Sequence, residues 1–383
     1  MEDVADIVGG GTPSTKKAEY WNGNINWFSP AEIGNQIFVN RSRKRITELG
    51  LMKSSAKILP VGTILFTSRA GIGNTAILTR NACTNQGFQS IVPNSHKLDS
   101  YFIYSESAKL KRYGETVGSG STFTEVSGKQ MRKMPLHIPN ITEQAKIGNM
   151  IKILDHTITL HEEKKRQLEH LKSALLQKMF AEKQRYPVVR FKGFCDEWQG
   201  TKLGKISKIV RGASPRPISD PKWFDNDSNV GWLRISDVTS QDGRIHHLEQ
   251  HISKQGQAKT RVISEPHLLL SIAATVGKPL INYVKTGVHD GFLIFIEPNF
   301  DLEFMFQWLE MFRPQWSKYG QPGSQINLNS DLVKNQIINL PSREEQNQIG
   351  IFFNQIDSLI NLHQQKINNI NSVKKSLLQK MFI

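Results

Sequence analysis

The chain has 383 residues, 38% of them apolar and 22% charged, which places it among soluble globular proteins with room for two or three domains. No signal-peptide pattern and no apolar run near the roughly 18 residues of a membrane span is present, and two cysteines, Cys83 and Cys195, are too few for a disulfide framework or a four-thiolate zinc site, so a cytoplasmic location is expected. A formal net charge of +15 favours polyanions through counterion release, and nucleic acid leads over anionic membrane because no basic amphipathic helix carries bulky aromatics on its apolar face.

In chain order, the first stretch opens on a Gly-rich turn, GGGTPS at 9–14, with Lys16 and Lys17 just beyond it. Trp21, the run INWFSPAEI from Ile25, and NRSRKR at 40–45 follow; the last packs four cations into six residues. TILFTS at 63–68 is β-branched and aromatic and reads as a strand, as does FLIFIE at 292–297. LDSYFIYSESAKLKRYG from Leu98 and LEFMFQWLEMFRPQW from Leu302 read as helices. The mixture is α+β and lacks the regular alternation of a doubly wound sheet.

From residue 140 the pattern becomes one long helix, and it occurs twice. LLQKMF stands at 175–180 and again at 377–382, an offset of 202 residues. The same offset relates Pro139 to Pro341, Glu143 to Glu345, Gln144 to Gln346, Ile147-Gly148 to Ile349-Gly350, Asp155 to Asp357 and His161 to His363. No insertion interrupts the match, as expected of helices, where one extra residue would turn every later side chain by about 100°. Ile147, Ile151, Leu154, Ile158, His161, Lys165, Leu168, Lys172, Leu175 and Met179 alternate in steps of four and three, the spacing of a coiled-coil seam. The second copy reads Ile349, Phe353, Ile356, Ile360, His363, Ile367, Ile370, Lys374, Leu377 and Met381. Asn140 with Glu143, and Ser342 with Glu345 as a full capping box, mark the starts; Pro187 is the expected stop of the first helix. A rod of about forty residues, ~60 Å, exceeds one face of a domain of roughly 140 residues, which favours two helices packed on each other over each lying on its own domain.

The stretches before each helix are related more loosely. Gly10-Gly11-Thr12-Pro13 parallels Gly212-Ala213-Ser214-Pro215, Trp21 parallels Trp223, Trp27 parallels Trp232, QGF at Gln86 parallels DGF at Asp290, and Gly120-Ser121 parallels Gly323-Ser324. The expected organisation is domain 1–139, helix 140–185, domain 186–340 and helix 341–383, the helices antiparallel about a pseudo-two-fold axis, with Ile383 ending near the first domain.

Taken together, GGTPS at 10–14, Trp21, the EQ…IG…D helix starts, LLQKMF and the preamble PVVRFKGFCDEW at 187–198 resemble the specificity subunits of type I restriction-modification systems, over essentially the whole chain. The resemblance implies two target-recognition domains, each reading one half of a split double-stranded DNA sequence, with the helix pair setting the gap. It also implies docking of two methyltransferase subunits and, in the restriction form, of ATP-driven restriction subunits. S-adenosylmethionine and ATP would then bind those partners, leaving this chain non-catalytic and free of cofactors. One departure is that the first copy has no counterpart of PVVRFKGFCDEW; Met1 aligns with Leu203, so the first domain is expected to begin partway into its opening strand.

The residues themselves agree with a non-catalytic chain. No Asn/Asp-Pro-Pro-aromatic loop for a flipped adenine is present, and Gly277-Lys278 lacks the earlier glycine of a phosphate loop. SDPKW at 219–223 lacks the second carboxylate of a nuclease, and His246, His247 and His251 offer at most two ligands on one helical turn, so no metal is expected. Positions shared by both copies cannot distinguish two half-sites, so Trp21, Trp27, Trp223, Trp232, Phe88, Phe292, Gly73 and Gly277 read as scaffold. Positions that differ are the candidate base readers: Arg69 opposite Ala273, and Asn85-Gln86 opposite His289-Asp290. Asn85, Gln86 and Asp290 could equally close a turn. Lys16, Lys17, Arg41, Arg43, Lys44 and Arg45, with Arg211, Arg216, Arg234 and Lys278 in the second half, are candidate phosphate contacts. A rival from another class is a coiled-coil scaffold protein with non-specific nucleic-acid binding.

Overall fold

The computed structural model describes residues 1–34, 36–69, 71–118, 125–181, 185–239, 241–272, 275–319 and 328–381. The pairs Gly120-Ser121 and Gly323-Ser324, the position of Ala273 and that of Ile383 lie outside the described residues. Internal contacts divide the chain into two units, Met1–Glu162 with Gln365–Ile383, and Glu163–Gln364.

The first unit is built on a five-stranded sheet in the order Ala5–Gly9, Gln89–Pro93, Ile64–Phe66, Thr75–Leu78, Phe38–Val39. The last pair is parallel and the other three are antiparallel. Ile64–Phe66 and Thr75–Leu78 are buried at every residue, which is why they show no polar alternation. Ile64, Phe66 and Ile77 face the helices, packing with Phe102, Ile103 and Leu110, whereas Leu65, Ala76 and Leu78 face Phe28, Val39 and Phe88. A three-stranded sheet of Lys44–Ile46, Trp21–Phe28 and Ala82–Thr84 completes the unit.

The second unit repeats the plan with Lys208–Arg211, Phe292–Ile296, His267–Ser271, Pro279–Asn282 and Arg244–Ile245, again with only the last pair parallel. Its small sheet joins Gly231–Leu233, Thr286–Val288 and Arg261–Ile263. One additional ladder, Gln199–Lys202 against Ile337–Leu340, has no counterpart among the described residues of the first unit.

Both long helices have 39 residues, Ile141–Met179 and Arg343–Met381, so their ends stand 202 positions apart like their motifs. The first is shorter than the expected 140–185, and Pro187 does not stop it. The helix ends where Phe180 and Ala181 are drawn into the second unit's core, Phe180 lying 5.1 Å from the ring of Phe304 and 6.0 Å from that of Phe353. All twenty seam positions are buried or half-buried. At the starts, Asn140 Oδ1 accepts from Glu143 N at 3.0 Å and Ser342 Oγ from Glu345 N at 3.3 Å. The expected reciprocal box at Ser342 gives way to a stronger demand, because both oxygens of the Glu345 carboxylate are taken by Arg190, at 2.7 and 2.8 Å.

The paired EQ…IG motifs have a tertiary cause. Gln144 Oε1 accepts from the Asp99 N–H at 3.0 Å while its Nε2 donates to Pro139 O at 2.9 Å; Gln346 repeats this with Asp301 N at 2.9 Å and Pro341 O at 3.0 Å. Asp99 and Asp301 are the N-caps of Ser100–Ser105 and Leu302–Phe312. Gly148 and Gly350 let each long helix lie against that cap, since a Cβ at either would stand 2.7 Å from the aspartate Oδ1.

Farther along, Asp155 accepts from Tyr101 OH at 2.9 Å and is paired with Lys374, all within the first unit. Its repeat mate Asp357, within the second unit, pairs with Lys172 at 2.5 Å and accepts from Gln307 Nε2 at 2.7 Å and Arg244 Nη2 at 3.1 Å.

Candidate nucleic-acid interface

In each unit the Gly-rich loop is latched to the turn that precedes a central strand. In the first, Gly11 N donates to Thr84 O at 2.8 Å, Trp27 Nε1 donates to Gly11 O at 2.8 Å, and Thr12 Oγ1 donates to Gln86 Oε1. In the second, Gly212 N donates to Phe292 O at 2.9 Å, Ala213 N to Val288 O at 3.0 Å, and Ser214 Oγ to Asp290 Oδ1 at 2.8 Å. The leading glycine is obligatory in both. A Cβ at Gly10 would stand 1.9 Å from Asn85 O, and one at Gly212 2.1 Å from His289 O. Trp21 and Trp223 brace the far ends of the loops through Nε1 bonds to Ser14 O and Pro217 O.

The candidate readers Arg69, Asn85 and Gln86 therefore come together on one surface. Asn85 Oδ1 accepts from Gly87 N at 2.8 Å, so its side chain does close a turn, and Gln86 is held by Thr12. Gly87 O in turn accepts from Ser68 N at 2.8 Å, which sets Arg69 next to that turn, where its guanidinium meets Glu125 at 2.9 Å on a half-exposed surface. The run at 40–45 is tied to the neighbouring Ser29–Glu32 corner by Arg43 N donating to Glu32 Oε1. Arg41, Arg43 and Arg45 are exposed and have no ion-pair partner among the described residues, while the Lys44 ammonium sits 5.5 Å from the Trp21 ring. Lys16 is exposed, and Lys17 lies 3.9 Å from Glu19 and over the Tyr20 ring.

The equivalent surface of the second unit carries different chemistry. Asp290 accepts from Arg216 Nη2 at 2.7 Å through its carboxylate and from Arg211 Nε at 2.6 Å through its backbone carbonyl. Burial pushes the Asp290 carboxyl up, but the Ser214 hydrogen bond and the charges of Arg216 and Arg211 outweigh it and hold the group below the ordinary carboxylate range. Burial pushes the His289 imidazole below its ordinary value, against the pull of Asp290. The neutral ring then accepts from Gly291 N through Nδ1 at 2.8 Å, so its 3.1 Å approach to Asp290 is not an ion pair at neutral pH.

Two predicted cations have other partners or surroundings. Arg234 spends its guanidinium on Asp237, at 2.8 and 3.2 Å. Lys278 lines a cavity of about 450 Å³ with Lys172, Glu310 and Asp357. Sequence reasoning missed Thr12 and Ser214 as latch residues, although their 202-residue offset and matching hydroxyls were the signal. It also missed Glu125. The histidines 246, 247 and 251 do not share a helical turn: His246 stacks on Tyr283 at 4.5 Å, and no cluster of three possible metal ligands occurs among the described residues. Cys83 is buried, its thiol pushed up to about 11 by burial, and Cys195 is exposed. The scaffold residues behave as such: Trp27, Trp223, Trp232, Phe88 and Phe292 are buried, Trp21 is half-buried, and Gly73 and Gly277 hold positive φ values of 91° and 77°. No helix among the described residues is long and apolar enough to cross a membrane.

Comparison with known proteins agrees with this duplicated plan. The sequence is 32% identical over 247 residues to the type I restriction enzyme MjaIX specificity subunit of Methanocaldococcus jannaschii, covering 61% of this chain and 56% of that protein. It is 31% identical over 168 residues to the type I restriction enzyme EcoR124I/EcoR124II specificity subunit of Escherichia coli, covering 42% and 40%. The chain thus spans about half the length of these curated relatives. The fold is similar to that of the type I restriction-modification S subunit from M. genitalium, with a TM-score of 0.64 at 13% identity over 100% of this chain and 94% of that one. A chain from a study of complex assembly and conformational transition of the type I R-M system gives a TM-score of 0.56 at 18% identity, over 100% and 96%. Residues 1–170 and 195–372 both match the type I restriction modification DNA specificity domain, and the chain belongs to that family.

Proposed function

We propose that this chain is the DNA-addressing subunit of a type I restriction-modification complex, each unit reading one half of a bipartite double-stranded target. One observation carries the reading. Two loops latched by equivalent bonds present Asn85 and Gln86 in one unit, with Arg69 beside them, and His289 and Asp290 in the other. A shared scaffold with unlike polar tips is what two unlike half-sites require. Arg41, Arg43, Lys44 and Arg45 would hold phosphates beside the first half-site, and Arg211 and Arg216 beside the second.

The two long helices act as an antiparallel pair that fixes the gap. Supporting this, Asp155 meets Lys374 in the first unit and Lys172 meets Asp357 in the second, so early positions of one helix meet late positions of the other in each. Two methyltransferase subunits, and restriction subunits in the restricting form, would dock on this frame and bring S-adenosylmethionine and ATP. A scaffold that binds nucleic acid without sequence preference is the lesser reading, because it has no use for two diverged loop tips.

The test is a matched pair of four-residue insertions, after Lys164 and after Gln364, in the chain assembled with its methyltransferase, with mapping of methylated adenines. The tolerated gap should lengthen by ~6 Å, about two base pairs, with both half-sites unchanged. An unchanged gap would remove the helices as the ruler, and methylation without sequence preference would remove the bipartite address.

A further inference from the structure

Arg69, a candidate reader of the first unit, meets an acid that the scaffold holds in place. Glu125 Oε1 lies 2.9 Å from Arg69 Nε, and the guanidinium has no second ion-pair partner among the described residues. The neighbouring Val126 is fully buried in the core with Phe66, Ile72 and Met131, and its N–H donates to Ser68 O at 3.1 Å. Ser127 then caps the helix Gly128–Arg132, its Oγ accepting from Gln130 N at 3.3 Å. On the other side Ser68 N donates to Gly87 O at 2.8 Å, in the turn that carries Asn85 and Gln86. Both partners of the Arg69–Glu125 contact are therefore anchored one residue away through the backbone.

Stability does not account for this pair. Its side chains are 46% and 36% exposed, and an ion pair so open to water adds little to folding. On a chain of net charge +15, a carboxylate on the face that meets a polyanion also works against binding. The two positions change together between the copies: where the first has Arg69 and Glu125, the second has Ala273 and, 202 residues on from Glu125, Asn327, both outside the described residues. The anchors beside them are kept, Val126 as the buried Leu328 and Ser127 as Asn329, the cap of Ser330–Asn335.

We infer that Glu125 is a positioning residue for base recognition by Arg69: it holds the guanidinium by the Nε edge and leaves the terminal amino groups to meet O6 and N7 of one guanine in the first unit's half-site. The inference rests on the bipartite reading above and deepens it. An unbraced arginine reaches phosphates and bases alike, whereas one held at Nε has lost much of its rotamer freedom before the duplex arrives. The carboxylate lowers affinity for every duplex and adds selectivity at one base pair.

The test uses the full chain assembled with its methyltransferase and a duplex pool of randomised sequence, with sequencing of the methylated members. The half-site read by the first unit is the one that Arg69→Ala alters, and the wild type should prefer guanine at one position in it. Glu125→Ala should lower that preference about tenfold or more, while Glu125→Gln, whose amide oxygen still accepts from Nε, should keep it within about threefold. Arg69→Ala combined with Glu125→Ala should lose no more than Arg69→Ala alone. Binding of a duplex of unrelated sequence should not weaken in Glu125→Ala, and an unchanged preference at the other half-site shows that the variants are folded. A guanine preference that Glu125→Ala leaves intact would overturn the inference, as would losses in the two single variants that add. A preference sharpened by Glu125→Ala would overturn it too, making the carboxylate a competitor for Arg69. A wild type without preference at either half-site would instead overturn the bipartite reading, and this inference with it.

Discussion

Asp155 and Asp357 occupy the same place in the two copies, pair with the same kind of residue, and are held by different neighbours. Asp155 has Lys374 and the Tyr101 hydroxyl, while Asp357 has Lys172, Gln307 and Arg244, the last also held by Glu303 at 2.5 and 2.9 Å. Glu303 itself stands where the first copy has Tyr101, at the 202-residue offset. A buried carboxylate must be satisfied, and the two units meet that requirement once with a phenol and once with an ionic chain. Burial and the Asp155 charge together push the Tyr101 hydroxyl far above its ordinary value, so it remains a donor at any working pH. The lesson is that the carboxylate and its lysine are the repeated element, and the brace behind them was free to change.

Substitutions can break this comparison at graded cost. The largest effect is expected at Arg190→Ala, which strands the buried Glu345 carboxylate and should lower the second unit's stability by about 3–5 kcal/mol, whereas Glu143→Ala in the first should change stability by less than about 0.5 kcal/mol. Segment-resolved hydrogen exchange would separate the two units, and equal losses would show that the pair is not the asymmetry it looks. Next comes the aspartate itself. Asp357→Asn, which disturbs three partners, should cost about 2–4 kcal/mol, and Asp155→Asn about 1–2 kcal/mol, by chemical denaturation followed in each unit.

Gly148→Ala and Gly350→Ala should instead cost the same, about 1–3 kcal/mol each, because both press a methyl group on the same N-cap oxygen. A clear difference between them in thermal unfolding would mean that the two helix locks are not equivalent. The smallest effect concerns pH. His289 has a folded value below its ordinary 6.5, so the folded state resists its proton; stability from the neutral ring is fully present above 6.5 and is lost as pH falls through the folded midpoint. The loss should be the smallest of these effects, and the first unit's Asn85-Gln86 turn, which has no titrating side chain, should not share it. An imidazole titration by NMR should give a midpoint below 6.5 that moves lower still in Asp290→Asn, since that carboxylate pulls the other way.

How much of this was visible beforehand follows from the range of each interaction. The 202-residue repeat gave both helices and the shared scaffold of Trp27, Trp232, Phe88 and Phe292, because periodicity and identity are local properties of the chain, though not where the first helix ends. The pair Gln144 and Gln346 was visible as a repeat but not as a lock, since its partners, Asp99 and Asp301, are set by tertiary packing. Arg190 and Glu345 stand 155 residues apart, and nothing local announces their bond. The premature end of the first helix at Met179 belongs to the same class: Phe180 leaves the helix for a core assembled from distant segments. Arg234 is the opposite case. Its partner Asp237 lies three residues away and could have been weighed against a phosphate role from the outset.

The helix lock of glutamine, glycine and capped aspartate shares no side chain with the loop latch that carries Arg69, Gln86 or Asp290. Each unit is therefore fastened to its long helix by one set of bonds, and its loop surface is held by another. Rewriting the loops leaves the fastening untouched, so that surface can change without re-engineering either joint.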